Sequence, residues 1–322
     1  MKKALLIKLE APNVYSSIGM EEAFKEYYEV RSIDWQRIKF NGGLDGVNVL
    51  WDKIVKECIS FSPDIIFCQF QKSEILTLER WKRLAEFGFV INFTEDVRED
   101  IHWYEEVAPH IGLTIFTNED DVKKFKYDNV GYMLVPYNHI WYKPQPKTEQ
   151  YYGDIIFVGN NYVTSNLRFP FAQERQEMIG FMKCKFGNRF QCYGMGQENS
   201  VLRSHQCIEA YNNAKIVITQ NNFKRSGYCS DRGISAMGCG ALVVHQHFDG
   251  IERLMDENPY LFTWKTFGEL YEICNNLLEN PIQENKHSIY VYAKYKHSWL
   301  NRVKFVIGMV KFIQEGTMIQ NN

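Results

Sequence analysis

Short apolar runs, each followed by a helical pattern, recur along the whole 322-residue chain. Runs of this length with no polar alternation read as strands buried on both faces, the mark of parallel sheets. The first half supplies them at 4–9 (ALLIKL), 64–70, 89–93, 113–117 and 132–136, and YEVRSID (28–34) reads as a more polar second strand. Helical patterns at 18–28, 46–61, 74–87, 99–108 and 119–127 lie between them. The pattern 46–61 puts Val47, Leu50, Ile54, Val55 and Cys58 on one face and stops at Ser62-Pro63. Residues 137–154 break the rhythm with two prolines and mixed polar residues, and read as a linker. A second alternation follows. Strands are expected at 154–159, 190–194, 215–220, 241–246 and 260–264. Helices are expected at 171–186, 204–213, 231–239, 249–256 and 266–279, with long helices across 285–314.

Strands separated by helices build doubly wound parallel sheets, and a chain of this length holds about two domains at roughly 150 residues each. The expected division is an N-terminal domain over 1–140, a C-terminal domain over 150–300, and a helix over 301–322 that packs back on the first domain. Two such sheets are expected to face a ligand cleft at the carboxyl ends of their strands.

Charge and composition narrow the function classes. The formal net charge is −2, but residues 1–146 carry 18 Lys/Arg against 23 Asp/Glu and residues 147–322 carry 19 against 16. The second half is therefore the expected home of an anionic ligand. The even total argues against a general nucleic-acid binder. Eight scattered cysteines with no C-x-x-C pair argue against a zinc ribbon or a thioredoxin-type site and fit reduced thiols. Met1-Lys2-Lys3 leads into an apolar stretch too short for a signal core, and no run approaches about 18 apolar residues. A cytoplasmic protein is expected. There is no G-x-x-x-x-G-K-[ST] loop for a kinase or ATPase, and no G-x-G-x-x-G opening the first half for a dehydrogenase.

The segment 226–250, SGYCSDRGISAMGCGALVVHQHFDG, carries the most chemistry. A loop holding Gly227 runs into a helix near Ser230 and Asp231. That helix closes at Gly238-Cys239-Gly240 before a buried strand. The start of a helix offers unpaired N–H groups and a positive dipole end, a cradle for a diphosphate. Arg232 in the first turn opposes the helix dipole, which favours a ligand or ion-pair role for it. An ordinary helix capped by Ser230 or Asp231 is the alternative reading of the same residues.

This segment resembles the signature of the spore-maturation (CgeB-like) glycosyltransferases, through Ser230, Asp231, Arg232, Ala236, Met237, Cys239, Gly240 and Ala241. Three further stretches agree in order: DIIFVGNN (154–161) followed by Arg175, FQCYGMG (190–196), and HSWLNRV (297–303). The resemblance covers most of 150–305; VINFTEDVRED (90–100) and LVPYNHIWYKP (134–144) extend it thinly into the first half. It implies a GT-B fold of two Rossmann-like domains and a metal-independent transfer from a nucleotide-sugar donor, a UDP-sugar. No cofactor is implied beyond that co-substrate. Donor-binding residues on this pattern are Gly159, Asn160, Arg175, Gly194, Gly227, Ser230, Asp231, Arg232 and Ser235. Ser235 departs from the family, which commonly carries there a glutamate for the ribose hydroxyls; a serine hydroxyl is shorter and uncharged. A retaining outcome is what the resemblance implies.

Asp96, after the strand at 89–93, is the expected catalytic carboxylate beside Arg232, as a base or orienter of the acceptor hydroxyl. Glu95, Glu99 and Asp100 crowd the same turn, and a solvated helix start reads equally well. His102 and His139 are alternative bases, and His245 and His247 candidate sugar-pocket residues. The run 118–121 (NEDD) suits a helix N-terminus better than a metal. The acceptor stays open among a glycan, a small molecule, a protein and a hydroxymethylated base in phage-type DNA. The acidic first half counts against a duplex acceptor, against which stands a local basic stripe of Lys123, Lys124 and Lys126. A non-catalytic nucleotide- or sugar-binding protein and a nucleotide-sugar epimerase share the architecture and are the rival readings.

Overall fold

The computed structural model describes residues 1–10, 16–97, 100–163, 169–255, 260–282 and 286–315. The chain divides into two compact units, Met1–Leu134 with Trp299–Asn322, and Val135–Ser298.

The first unit holds a six-stranded sheet of β1 (Lys3–Lys8), β2 (Glu29–Asp34), β3 (Ile65–Cys68), β4 (Phe89–Phe93), β5 (Leu113–Phe116) and β6 (Val130–Tyr132). Their order is β2-β1-β3-β4-β5-β6, and every pairing is parallel. The central strands β3, β4 and β5 are buried along nearly their whole length, which is why they read as unbroken apolar runs. One sheet face packs Leu6, Phe67, Phe93 and Ile115 against Met20, Phe24 and the helix Trp299–Glu315. The other packs Leu5, Ile66 and Val90 against Leu50, Ile54, Cys58, Trp81 and Leu84. Thr77 starts the helix Leu78–Ala85, its hydroxyl accepting from the Arg80 N–H at 3.4 Å; this cap shortens the helix expected from 74.

The second unit holds β7 (Ile155–Val158), β8 (Phe190–Tyr193), β9 (Ile216–Thr219), β10 (Leu242–Gln246) and β11 (Leu261–Trp264). Their order is β11-β10-β9-β7-β8, again parallel throughout. A core of Ile155, Phe157, Ile216, Ile218 and Val244 closes against Met178, Met182, Leu270 and Cys274 from the helices Ala172–Phe186 and Phe267–Glu279. Residues 137–154 belong to this unit, where Tyr137, Asn138, His139 and Tyr152 are buried.

One short helix lies outside the sequence pattern. Trp35–Asn41 is helical, started by the Asp34 carboxylate accepting from the Arg37 N–H at 3.1 Å. Seven residues are too few to show a period. The long helices expected across 285–314 are Lys286–His297 and Trp299–Glu315, parted at Ser298, whose hydroxyl donates to the Lys294 carbonyl at 2.6 Å. The break lets the second helix join the first unit, where the Trp299 ring meets Phe67 and Phe93 edge-on at centroid distances of 6.3 and 6.0 Å.

Trp299 thus anchors the C-terminal helix to the first sheet. Trp299→Ala is expected to destabilise that unit by about 3–5 kcal/mol, the usual cost of emptying a large aromatic site. Urea unfolding followed by far-UV circular dichroism measures it; a midpoint unchanged from wild type would contradict this packing role.

Candidate functional site

In an open parallel sheet the ligand crevice lies outside the carboxyl ends of the strands, at the point where the strand order reverses. In the second sheet that point falls between β7 and β9, the strands from which the chain winds outward in opposite directions. The loop after β7 carries Gly159 and Asn160, and the loop after β9 carries Gln220, Asn221 and Asn222. Arg175, from the helix Ala172–Phe186, lies across both. Its Nη1 donates to the Asn160 carbonyl at 3.4 Å, and its Nε to Gln220 Oε1 at 3.3 Å. Its Nη2 donates to the Gln220 and Asn221 carbonyls at 3.4 and 3.2 Å and to Asn222 Oδ1 at 2.5 Å. The guanidinium also stands over the Phe157 ring, 5.5 Å from its centroid.

Arg175 is 1% exposed, and every one of these partners is neutral. Among the described residues no carboxylate lies within ion-pair distance of it. Burial, with the Arg232 charge acting in the same direction, pulls its pKa down to about 10. A buried cation without a counter-ion is costly, and a site that keeps one is built to meet an anion.

The β7 and β8 loops are sewn together beside it. The Gly159 N–H donates to the Tyr193 carbonyl at 2.8 Å, Met195 N–H to Asn160 Oδ1 at 2.9 Å, and Gln197 Nε2 to the Gly159 carbonyl at 3.1 Å. Gly194 makes the approach possible: a Cβ there would stand 2.2 Å from the Gly159 carbonyl oxygen.

Asn221 connects this point to the signature segment. Its Nδ2 donates to the Tyr228 carbonyl at 2.7 Å, and its Oδ1 accepts from the Ser230 N–H at 2.9 Å. The loop turns at Gly227, with φ +69°, and leads into the helix Asp231–Gly238. Ser230 is the N-cap residue, but its side chain makes no capping bond. Its hydroxyl instead faces Asp231 Oδ1 at 3.5 Å and accepts from Arg232 Nη1 at 3.4 Å. The first N–H groups of the helix are thereby left uncapped by Ser230, the arrangement an anion at a helix start requires. Arg232 is partly buried; burial pulls its pKa down, but the Asp231 carboxylate and nearby tyrosine hydroxyls outweigh this and hold it above the ordinary range. The helix ends in a Schellman turn: Gly240 N–H donates to the Met237 carbonyl at 2.8 Å and Ala241 N–H to the Ala236 carbonyl at 3.1 Å, with Gly240 at φ +79°.

The expected residues of the second unit thus come together around the β7–β9 point: Gly159, Asn160 and Gly194 in the sewn loops, Arg175 across them, Ser230, Asp231 and Arg232 at the helix start. Ser235 is buried on that helix. His245, expected near a sugar, lies in the interior. Its Nδ1 meets the Gln246 carbonyl at 2.5 Å and its Nε2 faces Cys229 Sγ at 3.7 Å. His247 faces Glu252 at 3.0 Å.

In the first unit Asp96 follows β4 and is half-buried, its Oδ1 accepting from the Val97 N–H at 2.9 Å. Glu95 before it has φ +60°, strained for a residue with a side chain, and accepts from Gln71 at 3.5 Å. Glu99 lies outside the described residues. His102 is exposed between Asp100 and Glu105, whereas His139 is buried in the second unit. The 118–121 run is a helix cap: Asn118 Oδ1 accepts from the Asp121 N–H at 2.9 Å, and Asn118 Nδ2 donates to the Asp121 carboxylate at 2.7 Å. Lys123 and Lys126 lie beside Glu119 and Glu105 at 3.8 and 3.0 Å, so two of the three lysines of the basic stripe have a carboxylate next to them. Gln220, Asn221 and Asn222 are the site residues that sequence reasoning passed over. Their signal is a polar Gln-Asn-Asn run directly after the apolar KIVIT.

Burial holds the His245 pKa at about 4, against a small opposing pull from the Gln246 carbonyl. The unfolded value is near 6.5. A depressed histidine contributes stability that is fully present above the unfolded value and lost as pH falls toward the folded one. Wild type is therefore expected to lose stability more steeply than His245→Gln between about pH 6.5 and 4. Melting temperatures across that window decide it, and parallel profiles would remove His245 as the cause.

No curated protein matches the sequence. Residues 174–308, which contain Arg175 and the whole signature helix, match a family model described as Glycosyl transferase-like. A glycosyltransferase from Rickettsia africae ESF-5 superposes with a TM-score of 0.63 at 11% identity, covering 98% of this chain and 100% of that one. HepE from Anabaena, solved in complex with UDP and glucose, gives 0.59 at 12% identity over 96% of this chain and 100% of its own. A putative UDP-N-acetylglucosamine 2-epimerase from Listeria monocytogenes gives 0.57 at 10% identity over 99% and 98%. Likeness at such identities is likeness of fold: two parallel α/β units of the GT-B class, carrying a glycosyltransferase-like segment over the site.

Proposed function

We propose that the chain is a glycosyltransferase that moves a sugar from a nucleotide-sugar donor to an acceptor hydroxyl, with the donor diphosphate held at Arg175, Arg232 and the start of the helix Asp231–Gly238. The observation that carries this reading is Arg175: a buried guanidinium at the β7–β9 switch point, surrounded by neutral oxygens, with a second guanidinium near enough to depress its pKa. Two fixed cations and a helix start stabilise the charge that grows on a departing diphosphate, and fixed donors act without reorganising. Gly159, Asn160 and Gly194 shape the loops beside the phosphates, and Gly227, Ser230 and Asp231 shape the turn into the helix.

A UDP-sugar is the donor we propose, in line with the UDP and glucose held by HepE and with the resemblance of the signature segment to the spore-maturation type. Ser235 leaves the ribose without the family's carboxylate, so its hydroxyl contacts come from elsewhere in the site. Asp96, beside the strained Glu95, is the base we propose for the acceptor hydroxyl. The positive charge needed at the diphosphate is supplied by guanidinium groups, so no divalent metal is required. Ser235 also favours a second reading, a nucleotide-binding protein of this fold without transfer activity. Incubation with a panel of nucleotide sugars, following hydrolysis, transfer and epimerisation, separates these readings and the epimerase one.

Arg232→Ala is expected to leave the melting temperature nearly unchanged and to cost about 2.7–4 kcal/mol of barrier, the range for losing one preorganised oxyanion donor. That is roughly a hundredfold or more in turnover. Arg232→Lys should recover little, because an ammonium cannot bind two phosphate oxygens in one plane. Normal turnover in Arg232→Ala would place the residue outside the site. Activity is also expected to survive EDTA; loss in EDTA with recovery on adding manganese or magnesium would refute the metal-free mechanism.

A further inference from the structure

Arg175 binds an anion only while its own charge stays uncompensated, and the residue in the best position to compensate it is Gln220. Gln220 directly follows β9 and is 1% exposed. It supplies two of the acceptors on the guanidinium, its Oε1 to Nε and its carbonyl to Nη2. A glutamate has the same length and offers the same two bonds. Bonds from a guanidinium to a carboxylate are roughly twice as strong as those to a neutral acceptor, and a buried arginine left without a counter-ion is costly. The amide adds nothing within the fold to offset this: Gln220 Nε2 is buried with no hydrogen-bond partner among the described residues. Packing and hydrogen bonding alone therefore favour glutamate at this position. Asn222 repeats the choice. Its Oδ1 faces Nη2, where an aspartate would make an ion pair.

We propose that Gln220 is a positioning residue that fixes the Arg175 guanidinium through neutral acceptors and so reserves its charge for the phosphate oxygens of the ligand, with Asn222 in the same role. The inference rests on the reading of this site as an anion site. It adds that the site gives up stability to keep its charge, at two identifiable amides.

Thermal unfolding of the full chain, with and without inorganic pyrophosphate and separately with UDP, tests it in wild type, Gln220→Glu, Gln220→Met and Asn222→Asp. Pyrophosphate is expected to raise the wild-type melting temperature. Gln220→Glu without anion should melt at or above wild type, while its pyrophosphate affinity falls about tenfold or more, the scale on which one adjacent charge shifts an equilibrium. Gln220→Met removes the acceptor without adding charge, so it should melt lower than wild type yet keep more pyrophosphate affinity than Gln220→Glu. Asn222 is partly exposed, so Asn222→Asp carries the same test if Gln220→Glu does not fold. A wild type that ignores pyrophosphate, a Gln220→Glu or Asn222→Asp variant that binds it as wild type does, or a Gln220→Met variant that binds it less well than Gln220→Glu overturns the proposal. A wild type stabilised by pyrophosphate but by neither UDP nor any other nucleoside diphosphate counts against the nucleotide-sugar reading and leaves this inference standing.

Discussion

Parallel pairing of every strand is the constraint from which the rest follows. Parallel strands must be joined by crossovers, so helices cover both faces and the strand interiors become wholly apolar. All strands then end at one edge, and the polar residues that stop them collect there. In the second unit the edge carries Gly159-Asn160 after β7, Gly194 after β8 and Gln220-Asn221-Asn222 after β9. Their backbone groups have left the ladder and need partners. Several are met by the guanidinium of Arg175, which serves as a bolt between two strand ends as well as a charge.

That double duty explains how a buried cation is tolerated. Five acceptor oxygens and the Phe157 ring replace the water that the guanidinium has lost. Each bond also satisfies a carbonyl or amide oxygen at the strand ends, so the desolvation cost is shared with groups that would otherwise be orphaned. Behind the loop, His245 and Cys229 meet in the interior, both kept neutral by burial. His245 and Cys229 therefore bring no competing charge toward the two arginines.

The central strands were legible because burial on both faces leaves no alternation to misread; β2 is largely exposed and polar. Their observed bounds differ from the expected ones by about two residues or fewer at most ends, the usual fraying of boundaries. The helix Trp35–Asn41 was not legible, since a capped seven-residue helix carries too little period. More than one helix was expected across 285–314, but the position of the break at Ser298 was not: only the destination of Trp299, a contact far along the sequence, separates the two helices. At the site, glycines and the helix start could be read from residue type. Arg175 could not. It lies in an ordinary helical stretch, AQERQEM, and only the family resemblance singled it out. Gln220 to Asn222 went unnoticed because hydrogen bonds at strand ends leave no periodic trace. His245 was misjudged for another reason. Strand alternation puts His245 and His247, two residues apart, on one face, but β10 ends at Gln246, and His247 lies past the strand, facing Glu252.

Ser235 belongs to the same electrostatic scheme. On the helix Asp231–Gly238 it stands three residues after Arg232, the spacing at which side chains on one helix become neighbours. A glutamate there would lie within reach of the Arg232 guanidinium and would offer it the counter-charge that Gln220 and Asn222 withhold from Arg175. Serine offers a hydroxyl and no charge. Asp231 is the carboxylate adjacent to Arg232; it is exposed, and its charge raises the Arg232 pKa. Around both arginines the buried positions are amides, carbonyls and hydroxyls, while the carboxylate is kept at the surface. For the proposed nucleotide-sugar ligand, such a site would trade grip on the ribose for net positive charge at the phosphates. Its affinity is therefore expected to lie more in the diphosphate than in the nucleoside.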